Sequence, residues 1–384
     1  MNEVRLGILG LGNIGRYHAS YLLDGKVPRA RLTAVCTSRP GQVPLPETVK
    51  TFSDSGALMQ SGLVDAVLIA TPHSSHCELG QLAFASGLHV VVEKPIASHQ
   101  AEAERLVRAH GQHPKLIFGA MFQFRVEPRY QKLRDLIQGG ALGRITRMNW
   151  INTDWFRPDA YYQSSAWRAT WRGEGGGVLI NQCLHNLDML QWLLGRPARV
   201  RAFCQFGRHH DIEVEDDVTA YLEWAGGATG TFVSSTGEAP GTNRLEVAGT
   251  RGKVVLEQGR LTFTKNEVDA AEFCRTASTA FAKPAAQELV IPFKDAVLPH
   301  AVLLENFVAA ILDGTPLLAP GAEGIHSLEL ANAMVLSSLQ GETIELPLDS
   351  AVWEAKLNEL IANSRQTERT VWAVSGDVAG SFRR

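Results

Sequence analysis

The five cysteines (Cys36, Cys77, Cys183, Cys204, Cys274) are odd in number, and no two form a C-x-x-C pair. That argues against a disulfide framework and against a cysteine zinc site, and fits reduced thiols in a cytoplasmic protein. Excess charge of one sign is also lacking. Against 40 Asp and Glu stand 37 Lys and Arg, a net charge of −3. A nucleic-acid binder held by bulk positive charge is excluded, and so is an acidic disordered tail. No apolar run nears the roughly 18 residues of a membrane-spanning helix. The longest, such as Ala66 to Ala70 and Val90 to Val92, are strand-length. The opening residues carry Glu3 and Arg5 and then a glycine turn, so no secretory signal is expected. There is no internal repeat and no low-complexity tract.

What is present is alternation. At roughly 150 residues per domain, the 384 residues predict two domains. Strand-like runs at Val4 to Leu9, Arg31 to Cys36, Val64 to Ala70, His89 to Val92 and Lys115 to Gly119 alternate with helix-like runs such as Ile14 to Leu23, Ser74 to Ser86 and Gln100 to His110. Unbroken apolar strands are those of a parallel sheet covered on both faces. The order predicts a doubly wound α/β dinucleotide-binding domain over 1–123. After one more helix, strand-like runs between Arg144 and Thr264 are separated by glycine turns. They predict an α+β domain over 124–364 with an open, mostly antiparallel sheet. Residues 365–384 read as a polar tail.

Gly10, Gly12, Asn13, Ile14 and Gly15 belong to a G-x-G-x-x-G run between the first strand and the first helix. Gly10 permits the tight turn, Gly12 the approach of a pyrophosphate, and Gly15 close helix–strand packing. The helix N-terminus offers amide donors to phosphate. An NAD site usually ends its second strand on a carboxylate. Here that strand ends Cys36-Thr37-Ser38-Arg39. Thr37 and Ser38 can hydrogen-bond a 2′-phosphate and Arg39 can pair with it, so NADP is expected in preference to NAD.

Glu93-Lys94-Pro95 closes a buried strand, where ligands bind in open α/β sheets. Lys94 is either a working ammonium or a surface lysine paired with Glu93. In Gly175 to Asp188 the pattern reads as helical from Val178, which puts Asn181, His185 and Asp188 on one face. That stripe is either a proton-transfer site or a structural histidine with its partners. Trp150 to Trp171 holds seven aromatics and four of the eight tryptophans. Trp155 could stack on a sugar face and Arg157 could bind hydroxyls, unless the rings pack a sheet or an interface. His209, His210 and the acids after them read as a solvated hairpin, and no metal is expected.

Taken together, these pieces resemble the glucose–fructose oxidoreductase, inositol dehydrogenase and rhizopine-catabolism (Gfo/Idh/MocA) family. The matching stretches are GLGNIG, IATPHSSHCELGQLAFASGLHVVVEKPIA, Trp167-Arg168, GGGVLINQCLHNLD and the late run from Gly324 to Ala333. The resemblance implies Lys94 at the reacting hydroxyl and nicotinamide ribose, and His185 as general acid/base. It implies Thr71, Pro72 and His76 along the cofactor, with Glu93 and Gln123 near the nicotinamide. Trp167 and Arg168 would approach from the second domain. It further implies a homodimer or homotetramer. The family often carries aspartate at the position of Asn181. Asparagine orients a hydroxyl but cannot raise the basicity of His185 by charge. The expected activity is hydride transfer between nicotinamide and a secondary alcohol of a sugar, glycoside or cyclitol. Two alternatives stay open: a non-catalytic dinucleotide-sensing regulator, and a dehydrogenase of another alcohol such as a dihydrodiol.

Overall fold

The structure, a computed structural model, describes residues 2–41, 44–294 and 298–364. The expected C-terminal tail, 365–384, lies outside the described residues. Two compact units emerge. The first takes residues up to Val126 and the described part of Val297–Leu328. The second takes the described parts of Glu127–Ala296 and Glu329–Trp372.

The first unit opens with β1 (Val4–Leu9), α1 (Asn13–Leu23), β2 (Ala30–Cys36), β3 (Lys50–Phe52), α2 (Ser55–Gln60), β4 (Ala66–Ile69), α3 (His76–Ala85), β5 (His89–Val92), α4 (Gln100–Gly111) and β6 (Phe118–Ala120). Its sheet runs β3-β2-β1-β4-β5-β6 with every pairing parallel. The strand order reverses direction between β1 and β4, which is where a doubly wound sheet opens a crevice at its carboxyl ends. All four residues of β4 are buried, as are Val90, Val91 and Val92 of β5. Helices on both faces make such unbroken apolar strands favourable.

The second unit continues with α5 (Pro128–Gln138), β7 (Ile145–Asn152), α6 (Asp159–Gln163), α7 (Leu184–Leu194), β8 (Arg199–Phe206), β9 (Glu215–Glu223), β10 (Thr229–Ser235), β11 (Asn243–Gly249), β12 (Gly252–Glu257), β13 (Arg260–Asn266), α8 (Ala270–Thr276) and β14 (Ala286–Ile291). Next come α9 (Pro299–Asp313), in the first unit, and α10 (Gly324–Gln340), along which the chain re-enters the second. β15 (Ile344–Glu345) and α11 (Ser350–Ala362) follow. The nine-stranded sheet runs β14-β13-β12-β11-β7-β10-β9-β8-β15. Only β7 and β10 pair in parallel. Val200, Ala202 and Cys204 of β8 are buried, whereas Phe203 between them is 58% exposed. One face of the sheet therefore carries core, and the other is open.

Two expectations need correction. The second domain is not the unbroken stretch 124–364, because α9 packs with the first unit. Phe307 of α9 lies against Gly119, where an added Cβ would come 3.1 Å from its ring, and the Ala120 amide donates to the Ala319 carbonyl at 3.0 Å. The apolar face of α9 thus covers β6. Nor does a helix run from Val178. Residues 171–183 form successive turns, and α7 starts only at Leu184.

Candidate active site

The first group of candidate residues lies along the carboxyl edge of the parallel sheet. Gly10 has φ +95° and no room for a Cβ, which would sit 2.8 Å from the Ala70 carbonyl oxygen. At Gly15 a Cβ would come 1.9 Å from the Gly10 oxygen, yet at Gly12 it would meet open space. The turn is thus closed where helix and strand meet and open at the N-terminus of α1, as a bound pyrophosphate requires. Asn13 and Ile14 begin that helix, and the Asn13 amide oxygen accepts from Arg16 at 3.1 Å. These residues fit a dinucleotide.

Beyond β2, Thr37 and Arg39 line a cavity of about 250 Å³. Thr37 Oγ1 accepts from the Arg39 amide at 3.2 Å. Ser38 is exposed and is not among the lining residues. Glu47 is among them. The strand end holds no carboxylate, but the loop before β3 brings one to the same cavity.

At the end of β4, Thr71 Oγ1 accepts from Ser75 at 2.7 Å, and Pro72 is exposed. His76 is fully buried, with its ring between the Pro95 carbonyl at 2.7 Å and the Thr71 carbonyl at 2.8 Å. Burial pushes its pKa down, against the pull of those two carbonyls. Its ring fastens the β4 loop to the Lys94-Pro95 turn. Lys94 is half-buried at the end of β5, and Gln123 is 3% exposed just past β6.

Glu93 is buried and accepts from His18 at 2.6 Å and from the Lys94 amide at 3.2 Å. Burial alone would raise its pKa, but the His18 bond and the nearby Lys94 charge hold the carboxyl below its usual range. His18 also bonds the Tyr21 hydroxyl, and His300 of α9 packs 5.7 Å from the His18 ring. Motif reading missed His18, Tyr21 and His300. The one signal available was a histidine eight residues beyond Gly10, on the first helix.

The second unit holds a cluster built around Tyr161. Its ring lies 4.5 Å from the Arg168 guanidinium and 5.1 Å from that of Arg157. Its hydroxyl accepts from Arg168 at 2.9 Å and from Gln182 at 3.2 Å. Arg168 also stacks on Trp167 at 4.7 Å, and Arg157 on Trp155 at 5.5 Å. Trp155, Arg157, Trp167 and Arg168 therefore belong to one connected cluster. Trp150, Tyr162 and Trp171 do not serve it as surface, being core residues exposed by 1%, 6% and 5%.

Asn181 joins the cluster through Glu174, which accepts from its side-chain amide. His185, 5% exposed, stands in the first turn of α7, with Asp188 one turn on. The turns before α7 are held from β9. Glu215 Oε1 accepts from the Gly177 amide at 2.8 Å and the Leu179 amide at 3.1 Å, and its carbonyl accepts from Val178 at 2.9 Å. These bonds seat the turns on β9, and α7 begins only at Leu184. Burial pushes the Glu215 carboxyl up to about 7, with the Glu174 charge adding to the rise. Glu174, Gln182 and Glu215 were not legible as site residues.

The hairpin between β8 and β9 is less solvated than expected. Asp216 is fully buried and accepts from the backbone amides of Arg208, His209 and His210 and from the His210 ring. Among the described residues no group of three His, Cys, Asp or Glu could hold a metal ion.

A family model described as the oxidoreductase family with an NAD-binding Rossmann fold matches residues 4–120, and the GFO/IDH/MocA C-terminal domain matches 130–255. The chain belongs to the GFO/IDH/MocA oxidoreductase family. It is 27% identical to the inositol 2-dehydrogenase of Rhizobium meliloti (strain 1021), over 89% of this chain and 99% of that protein. It is 24% identical to the levoglucosan dehydrogenase of Pseudarthrobacter phenanthrenivorans, over 91% of this chain and all of the other. Among solved structures, the WlbA dehydrogenase from Bordetella pertussis, in complex with NADH and UDP-GlcNAcA, superposes with a TM-score of 0.74. It is 26% identical, covering 90% of this chain and 100% of that one. The relatives are named dehydrogenases, and this chain is an enzyme of the same oxidoreductase family.

Proposed function

We propose that this enzyme transfers hydride between NADP or NAD and a secondary alcohol of a sugar, glycoside or cyclitol, with Lys94 and His185 as its catalytic pair. The observation that carries the reading is the chemistry of two clusters. One is a dinucleotide cradle whose edge ends in a half-buried lysine. The other sets a buried histidine four residues after a side-chain amide, which Glu174 links to a cluster of aromatic rings and arginines. The names of the relatives, an inositol and a levoglucosan dehydrogenase, support a polyol substrate.

Bound nicotinamide supplies the hydride acceptor or donor. Lys94, as a cation, holds the reacting hydroxyl and offsets the negative charge that develops on its oxygen. His185 takes the hydroxyl proton at a ring nitrogen and returns it in reduction. Asn181 orients a substrate hydroxyl without ionising. Trp155 and Arg157 bind the substrate's C–H face and hydroxyls. Thr71, Pro72, His76, Glu93 and Gln123 would hold the cofactor, together with Trp167 and Arg168.

Thr37 and Arg39 in the adenosine-end cavity support NADP as the preferred cofactor. Glu47 in that cavity favours a second reading, NAD, since a carboxylate binds ribose hydroxyls and repels a 2′-phosphate. Five free cysteines and no membrane-length helix among the described residues support a cytoplasmic enzyme. Phe203, Tyr221 and Ile151 on the open sheet face, each at least 39% exposed, support a homo-oligomer built through that face.

A panel of inositols, sugars, glycosides and a dihydrodiol, assayed with both cofactors, tests the reading. Turnover is expected with a polyol. Lys94→Ala should lower it by roughly 10²–10⁴-fold with dinucleotide binding kept. Tight dinucleotide binding with no turnover anywhere would instead favour a sensing regulator.

A further inference from the structure

We propose that Glu174 is a positioning residue: it holds the Asn181 amide in the one orientation that turns the carbonyl oxygen towards a substrate hydroxyl. The proposal rests on the reading of Asn181 as a substrate-binding residue.

Glu174 is 2% exposed, on the turn that follows Thr170. Each carboxylate oxygen has its own donor. Oε1 accepts from the Asn181 side-chain nitrogen, and Oε2 accepts from the Ala169 amide at 2.5 Å. Arg168 Nη1 lies 3.9 Å from Oε1. Ala169 is held at φ +54°, an uncommon conformation for a residue with a side chain. Its amide is thereby fixed on the carboxylate.

A carboxylate accepts hydrogen bonds and donates none, whereas the two ends of an asparagine amide differ. With Glu174 on one side, the nitrogen end must face the carboxylate and the oxygen end must face away from it. Asn181 is half-buried, while Ile180 and Gln182 beside it are buried. A hydroxyl ligand on the side away from Glu174 then meets the amide oxygen of Asn181 as an acceptor. The same carboxylate ties the Trp167-Arg168 segment to the residue four positions before His185. The residues on either side of the turn are therefore coupled through one buried charge.

The arrangement can be exchanged. In the double variant Glu174→Gln with Asn181→Asp, the new glutamine nitrogen donates to the new aspartate, and the glutamine oxygen still accepts from Ala169. The local charge is unchanged. Glu174→Gln alone has one acceptor for two donors. Asn181→Asp alone sets two carboxylates against each other. Wild type, both singles and the double are assayed with NAD and NADP against myo-inositol and levoglucosan, with NADH and NADPH affinity by fluorescence and with melting curves.

The expected result is that each single loses about tenfold or more in turnover, that the double recovers to within about threefold, and that nucleotide affinity stays constant throughout. Losses that multiply in the double, or a Glu174→Gln variant with near-normal turnover and substrate KM, would overturn the proposal. If wild type oxidises neither polyol, the substrate reading fails separately, and the melting curves decide. Rescue of the melting temperature in the double keeps the Glu174–Asn181 hold, and additive losses overturn it.

Discussion

Gly177 and Glu215 are so close that a Cβ on the glycine would lie 2.0 Å from the glutamate's carbonyl oxygen. The Gly177 amide donates to the Glu215 carboxyl at 2.8 Å. The turn that leads to Asn181 and His185 is thus seated directly on the first residue of β9. Gly177→Ala must push the turn off that strand. The expected cost is roughly 1–3 kcal/mol of stability, as for other overpacked interiors, together with a loss of turnover larger than the stability change explains. Melting curves and kinetics on the same preparation check this. A variant normal in both would show that the turn does not need its seat.

The Glu215 carboxyl itself gives a pH test. It is fully buried, its Oε2 has no hydrogen-bond partner, and burial lifts its pKa from the usual 4.5 to about 7. The native state therefore binds more protons than the unfolded chain between those values, and stability falls as pH rises through 7. The shift corresponds to roughly 3 kcal/mol in full. Glu215→Gln mimics the protonated acid and still accepts from Gly177 and Leu179. Relative to wild type it should gain stability between pH 5 and pH 8. Melting temperatures that run parallel over that range would contradict the raised value.

Much of this architecture was legible because parallel strands covered on both faces leave unbroken apolar runs, as at Ala66–Ile69 and His89–Val92. The glycines of the first turn announced themselves for the same local reason: no Cβ fits at Gly10 or Gly15. What stayed hidden depends on contacts distant in sequence. Val178 to Asp188 has a helical pattern, but its first residues form turns seated on Glu215, 38 residues beyond Gly177, and the helix begins only at Leu184. The helical pattern of α9 says nothing about which sheet it covers. Glu47 and Thr37 meet in one cavity only after β3 pairs with β2. An isolated Glu174 or His18 carries no motif, so its role waits for its partners. β3 and β15, of three and two residues, are too short to show a period.

His300 is buried 5.2 Å from the Tyr17 ring and close to Glu93, His18 and Lys94. Burial pushes its pKa down to about 3, and the His18 and Lys94 charges add to the fall against the pull of Glu93. A histidine lowered from 6.5 to about 3 binds fewer protons in the native state than in the unfolded one. Its contribution is intact above pH 6.5 and is lost progressively as pH falls towards 3, by roughly 5 kcal/mol in full. His300→Phe keeps a ring beside Tyr17 and removes the titration. Acid unfolding followed by circular dichroism should shift to lower pH in this variant. An unchanged or higher midpoint would mean that other groups set the acid limit.

Arg39 and Glu47 line one cavity, and on the proposed reading they set the choice of cofactor. An arginine pairs with a 2′-phosphate through charge-assisted hydrogen bonds. A carboxylate prefers the free ribose hydroxyls and repels the phosphate. Arg39→Ser should therefore lower kcat/KM for NADP by about 10–100-fold and leave NAD within a few-fold. Glu47→Gln should act in the opposite sense, weakening NAD and improving NADP. The two variants bracket the wild-type ratio of efficiencies and show which residue sets it. If both move the ratio in the same direction, or neither moves it, the adenosine end of the cofactor is read elsewhere, and the preference for NADP loses its physical basis.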